Sequence, residues 1–175
     1  MTINNKEFER YIGRNQISDR LNELAGQIDM DYAGKSLVML AVLNGAFIFA
    51  GDLIRLLKVD AEVSFVKLKS YRGTASTGEV QTLIGLMHEL KDREVLIVED
   101  IIDTGRTMSK LLEMVWEQSP ASVKVCTLLV KPDVFKNKYQ LDYVGFSIPD
   151  KFVVGYGLDY DELGRQLPDI YKIKD

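Results

Sequence analysis

Residues 95–107 read Val95-Leu96-Ile97-Val98-Glu99-Asp100-Ile101-Ile102-Asp103-Thr104-Gly105-Arg106-Thr107. The apolar, mostly β-branched run Val95 to Val98 suits a central parallel strand covered on both faces, with Glu99 and Asp100 at its carboxyl end. Beyond the loop, Met108, Leu111, Leu112 and Val115 keep the i, i+3, i+4, i+7 spacing of one buried helix face. The stretch from Asp103 to Thr107 therefore opens a helix.

The first turn of a helix leaves backbone N–H groups unpaired and carries the positive end of the helix dipole, which suits an anion. Gly105 lets the backbone come close, and the Thr104 and Thr107 hydroxyls can donate to phosphate oxygens. The segment lacks Gly-x-x-x-x-Gly-Lys-Ser/Thr and Gly-x-Gly-x-x-Gly, so it is neither a triphosphate P-loop nor a dinucleotide fingerprint. Two acids beside a phosphate loop become useful if they accept hydrogen bonds from vicinal ribose hydroxyls, or if magnesium reverses the local field. A sugar phosphate carrying a metal meets both demands. The plain alternative is a buried strand and a capped helix whose acids only solvate the turn.

Composition sets wider bounds. The 175 residues suit a single domain, 1–175, that buries about 70% of its unfolded surface. With 46% hydrophobic and 27% charged residues the chain has the balance of a soluble globular protein. The strongest apolar stretch, Leu37 to Leu43, is too short to cross a bilayer, and Thr2 to Arg10 lacks the apolar core of an export signal. A cytoplasmic protein without membrane partners is expected. The net charge of −4 argues against a nucleic-acid partner, whose backbone demands clustered cations. Cys126, the one cysteine, is expected to be a buried inert thiol, and the one histidine, His88, cannot build a zinc site of the usual kind.

Outward from the central motif, Ile17, Leu21, Leu24, Ala25 and Ile28 predict an amphipathic helix, capped at Ser18 or an earlier polar residue and ending near Gly34. Leu37 to Leu43 predicts a buried strand, Asn44-Gly45 a turn, and 46–57 a helix. Ala61 to Leu68 reads as a strand and Lys69 to Thr82 as a long mobile loop. Val123 to Val130 and Tyr143 to Phe146 supply further strands. Strands alternating with helices imply an α/β fold with a mostly parallel central sheet and helices on both faces, whose ligands bind beyond the carboxyl ends of the strands.

The 95–107 stretch resembles the signature of type I phosphoribosyltransferases. Further segments, Leu43-Asn44-Gly45-Ala46, Leu68-Lys69-Ser70-Tyr71, Leu129-Val130-Lys131 and Pro149 to Tyr160, resemble the branch of that family that acts on hypoxanthine and guanine, in the same order over nearly the whole chain. The resemblance implies a small hood of terminal segments over the sheet, purine salvage from phosphoribosyl pyrophosphate, a magnesium cofactor, and assembly as homodimers or homotetramers.

It also implies roles for particular residues. Glu99 and Asp100 would hold the ribose hydroxyls, and Asp103, Thr104, Gly105, Arg106 and Thr107 the 5-phosphate. Asp103 would also act as general base at purine N7. Leu43, Asn44 and Gly45 would bind pyrophosphate through backbone amides, often across a nonproline cis peptide, where the ordinary reading is a tight trans turn. Arg165 would contact pyrophosphate, and Asp159 would ligate the metal near the purine, with Glu99 and Asp100 as further candidate ligands. Phe152 would stack on the purine, Val153 would read its edge through the backbone, and Lys131 would donate to the 6-oxo group. Ser70 and Tyr71 match the tip of a closing loop. The chain departs from a common pattern at Asn44, where many relatives carry lysine. Taken singly, Phe152 and Val153 would read as core, and Lys131, Asp159 and Arg165 as ordinary surface charges.

Two rivals stand beside this reading. A nucleic-acid-binding regulator on the same fold would need a basic face or an added domain, and neither is visible. A transferase for another base, such as xanthine or a pyrimidine, stays open, because backbone groups that read the purine 2-position leave no side-chain signature.

Overall fold

In the computed structural model, residues 1–70, 80–86, 89–135 and 139–174 are described. The chain runs β1 (Thr2–Ile3), β2 (Lys6–Ile12), α1 (Arg14–Asp31), β3 (Leu37–Val42), α2 (Phe47–Leu56), β4 (Ala61–Ser70), β5 (Val80–Ile84), β6 (Glu94–Ile102), α3 (Arg106–Trp116), β7 (Ser122–Val130), β8 (Tyr143–Ser147), β9 (Val153–Val154) and β10 (Ile170–Ile173).

The main sheet has the order β5-β4-β3-β6-β7-β8, with β4 to β8 in parallel register and β5 antiparallel at one edge. All six residues of β3 are buried, as a two-sided central strand requires. The helices α1 and α2 cover one face, where Ile17, Leu21, Leu24, Ile28, Phe49 and Leu53 meet Leu96 and Val98. The helix α3 covers the other, where Met108, Leu111 and Val115 meet Val95 and Ile97. Adjacent residues of β6 thus feed opposite cores, the period-2 alternation of a strand.

A second, antiparallel sheet, β1-β2-β10-β9, joins the two ends of the chain over the carboxyl edge. Its small core is Ile3, Phe8 and Val154, with Tyr160, Leu167 and Tyr171 packed against it. This is the expected hood.

Several boundaries differ from the sequence reading. α1 starts at Arg14, earlier than Ser18 and with Gly13 at the cap in place of the expected Ser18 or earlier polar residue, because the Gly13 N–H donates to the Gln16 side chain at 2.9 Å and closes the first turn there. β6 continues to Ile102, so Glu99 and Asp100 lie inside the strand, with Glu99 opposite Thr127. Part of the expected loop 69–82 is strand, since Ser70 pairs with Val80 and Leu68 with Thr82. Residues 71–79 and His88 lie outside the described residues. Cys126 is fully buried, and that burial pushes its thiol pKa far up, as an inert core thiol requires. Among the described residues, no helix is long and apolar enough to cross a membrane.

Candidate active site

Four segments meet where β3, β6, β7 and β8 end. Parallel strands deliver their following loops to one edge, which is why residues far apart in sequence converge there. The loop after β6 encloses a cavity of about 110 Å³ lined by Glu99 and by residues 101–108. Gly105, at φ +76°, caps α3 without any side-chain cap, so the amides of the first helical turn stay turned toward that cavity. A Cβ on Gly105 would lie 2.8 Å from the Tyr139 hydroxyl and 2.9 Å from the Phe135 ring, so Gly is required both for the turn and for the packing behind it. The Gly105 carbonyl accepts from the Tyr139 hydroxyl at 3.3 Å and from the Ser109 N–H at 2.9 Å, bracing the loop from behind.

Glu99 and Asp100 are consecutive half-buried residues of β6. Loss of solvent, reinforced by the neighbouring Asp100 carboxylate, holds the Glu99 carboxyl well above the usual range, and loss of solvent also raises Asp100. Such a pair is poised for neutral donors or a cation that would relieve the repulsion. A Cβ on Gly45 would sit 1.7 Å from Asp100 Oδ2, so the β3–α2 loop lies directly against this carboxylate. The Leu43–Asn44 peptide in that loop is cis.

Gly157 closes the same corner, since a Cβ on it would lie 2.2 Å from the Gly45 carbonyl oxygen. Arg165 donates to the Gly157 carbonyl at 2.9 Å and pairs with Asp159 Oδ1, also at 2.9 Å. Asp159 Oδ2 accepts from Glu162 N–H at 2.8 Å. Each carboxylate oxygen of Asp159 keeps a further lone pair, so the group can still face a hard cation. Among the described residues, no three acid, histidine or cysteine side chains form a ready-made cation cage.

On the other side stands Lys131, only 8% exposed, whose ammonium donates to Asp150 Oδ1 at 2.9 Å and lies 3.7 Å from Asp103 Oδ2. Phe152 is 43% exposed, with its edge fixed by Tyr160 at 5.5 Å (75° between rings) and by Phe8 at 6.3 Å. Such edge contacts hold an aromatic ring while leaving a face open for stacking. The Phe152 carbonyl accepts from Ile173 N–H at 2.9 Å, and Val153 is paired opposite Lys172. Because hydrogen-bonded pairs alternate along an antiparallel ladder, Val153 turns its own N–H and C=O to the outer edge of β9.

Residues 13–161 match the phosphoribosyl transferase domain. The chain belongs to the phosphoribosyltransferase family. Hypoxanthine phosphoribosyltransferase of Buchnera aphidicola is 41% identical over 165 residues, which cover 93% of each chain. Hypoxanthine-guanine phosphoribosyltransferase of Aquifex aeolicus is 37% identical over 175 residues, with 99% of this chain and 98% of that one covered. Among solved structures, a hypoxanthine-guanine phosphoribosyltransferase of Bacillus anthracis superposes with a TM-score of 0.91 at 40% identity, over 96% of this chain and all of the other.

This phosphoribosyltransferase thus gathers residues 99–107, Leu43 to Gly45, Asp159, Arg165, Lys131, Phe152 and Val153 at one edge. Ser70 ends β4 at that edge, with its backbone paired to Val80, and Tyr71 lies outside the described residues. Sequence reading missed Asp150, Tyr139 and Gly157. Asp150 and Gly157 sit inside the quoted Pro149 to Tyr160 segment, so the available signal was a carboxylate and a glycine on either side of the Phe152 aromatic.

Proposed function

We propose that the chain, acting as one domain over residues 1–175, transfers the phosphoribosyl group of phosphoribosyl pyrophosphate to hypoxanthine or guanine, releasing pyrophosphate. The observation that carries this reading is the 3.7 Å approach of Lys131 to Asp103, which couples a base-recognising cation to an acid on the phosphate loop.

In this reading the 5-phosphate is bound by the amides and hydroxyls of residues 103–107 at the start of α3. The ribose hydroxyls donate to Glu99 and Asp100, and pyrophosphate lies against the Leu43 to Gly45 backbone and Arg165. The purine stacks on Phe152, its edge meets the Val153 backbone, and its 6-oxo oxygen accepts from Lys131. Adenine has a donor at that position and would leave the buried ammonium opposed by N–H groups.

As purine N9 bonds to the anomeric carbon, the bond from that carbon to pyrophosphate breaks, and Asp103 takes the proton from N7. Proton transfer of this kind contributes about 10²- to 10⁴-fold. Asp159, with Glu99 and Asp100 as further candidates, would supply the hard oxygen donors that suit magnesium, with phosphate oxygens and water completing its shell. When bound, magnesium would neutralise the departing pyrophosphate. Ser70 and Tyr71, by the resemblance, would belong to the part of the chain that excludes water. The same reading includes a cytoplasmic enzyme that assembles as a homodimer or homotetramer and requires neither nucleic acid nor membrane.

The deciding experiment is a spectrophotometric assay with magnesium and the sugar donor against hypoxanthine, guanine, xanthine and adenine in parallel. Turnover of 6-oxopurines but not adenine is expected, and Lys131→Ala should cost purine use far more than donor binding. Failure to turn over any 6-oxopurine would reject the proposal.

A further inference from the structure

Lys131 follows the last residue of β7, and Asp150 lies three residues beyond the end of β8. Val130 and Ser147 are register partners, and the Ile148 N–H donates to the Val130 carbonyl at 2.9 Å. The chain then turns tightly, with Lys151 N–H donating to the Pro149 carbonyl at 2.7 Å, a three-residue turn whose apex is Asp150. Strand register and turn together aim the Asp150 carboxylate at the Lys131 ammonium.

An ammonium has three donors on a flexible stem, and a buried one takes whatever acceptors are near. Here the two are unequal. Asp150, at 2.9 Å, is a hydrogen-bond partner, whereas Asp103, at 3.7 Å, is beyond hydrogen-bond reach and interacts only as a charge. Without Asp150, the nearest carboxylate left to Lys131 is Asp103. A closer Lys131–Asp103 pair would draw the ammonium off the base and occupy the oxygen that is to accept a proton.

The geometry points to Asp150 as a positioning residue that holds Lys131 toward the purine and keeps it from capturing Asp103. The inference rests on the reading of Lys131 and Asp103 given under Proposed function and extends it to a residue outside that reading. It makes selection of 6-oxopurines and readiness of the base depend on one hydrogen-bond acceptor that does not itself touch the reacting atoms.

The test is a double-mutant cycle on the full chain with magnesium and the sugar donor. Asp150→Ala should lower kcat/KM for hypoxanthine by at least about tenfold while the donor KM stays within about twofold, because only the base side is disturbed. Asp150→Asn, whose amide oxygen can still accept from the ammonium, should recover most of the loss. In a Lys131→Ala background, Asp150→Ala should add less than about twofold, since the residue it positions is gone. Asp150→Ser provides the same comparison if the alanine variant is poorly folded. Effects that multiply in full, or a donor KM that rises with the purine KM, would overturn the inference while leaving the enzyme reading intact. A wild-type chain inactive on every 6-oxopurine would instead bring down that reading, and this inference with it.

Discussion

Gly157 and Gly45 touch backbone to backbone: at φ +99°, Gly157 leaves only 2.2 Å between the place of a Cβ and the Gly45 carbonyl oxygen. The hood segment that carries Asp159 and Arg165 is thereby seated directly on the loop that faces Asp100. Gly157→Ala must either open that seat or strain the backbone, at a cost of about 1–3 kcal/mol. For a chain of this length that is a fall in Tm of roughly 2–12 °C, with a higher donor KM. A variant with unchanged Tm and donor KM would mean that the contact is slack.

Asp103→Asn keeps the size of the side chain and the amides of α3 while removing the proton acceptor. Donor binding should persist and turnover should fall by at least about tenfold. Single-turnover measurement with saturating donor isolates this step, and an unchanged rate would remove Asp103 from its role.

Asp159 is held by Arg165 and Glu162 but keeps lone pairs for a cation. Replacing it with Asn removes charge from one oxygen donor, so half-maximal turnover should need about tenfold more magnesium. Titration with magnesium at fixed donor reads this directly. The same requirement in both proteins would exclude Asp159 as a ligand.

Away from the site, Lys35 and then Ser122 hold the Glu94 carboxyl below its ordinary range. A group whose pKa is lowered by folding contributes stability in full above its unfolded value, about 4.3, and loses it as pH falls through the lower folded value. The Tm difference between the wild type and Glu94→Gln should therefore be level from pH 7 to about 5 and shrink below about 4. A difference that grows on acidification contradicts this assignment.

The central β/α pattern was legible because its signal is local. Val95 to Val98 and Ile17 to Ile28 each announce their burial through spacing alone, and the loop 103–107 needs only a strand end, a glycine and a helix start. The hood was not legible from periodicity. In Lys6–Ile12 the fully buried positions are Phe8 and Ile12, four apart among charged residues, and β9 has two residues, too few to show a period. Those strands exist because they pair with each other across the length of the chain. Likewise Asp150 and Tyr139 act through partners that only the folded sheet brings near, Lys131 and Gly105, whereas the motif residues act within their own loop.

Phe152 leans on Phe8, and the strand that follows it is paired to Ile170–Ile173, so this aromatic is tied to both β2 and β10 of the hood. Under the proposed function, loss of the closing strand Ile170–Ile173 would therefore remove the backing of the purine seat while leaving the loop 103–107 and the parallel sheet beneath it in place.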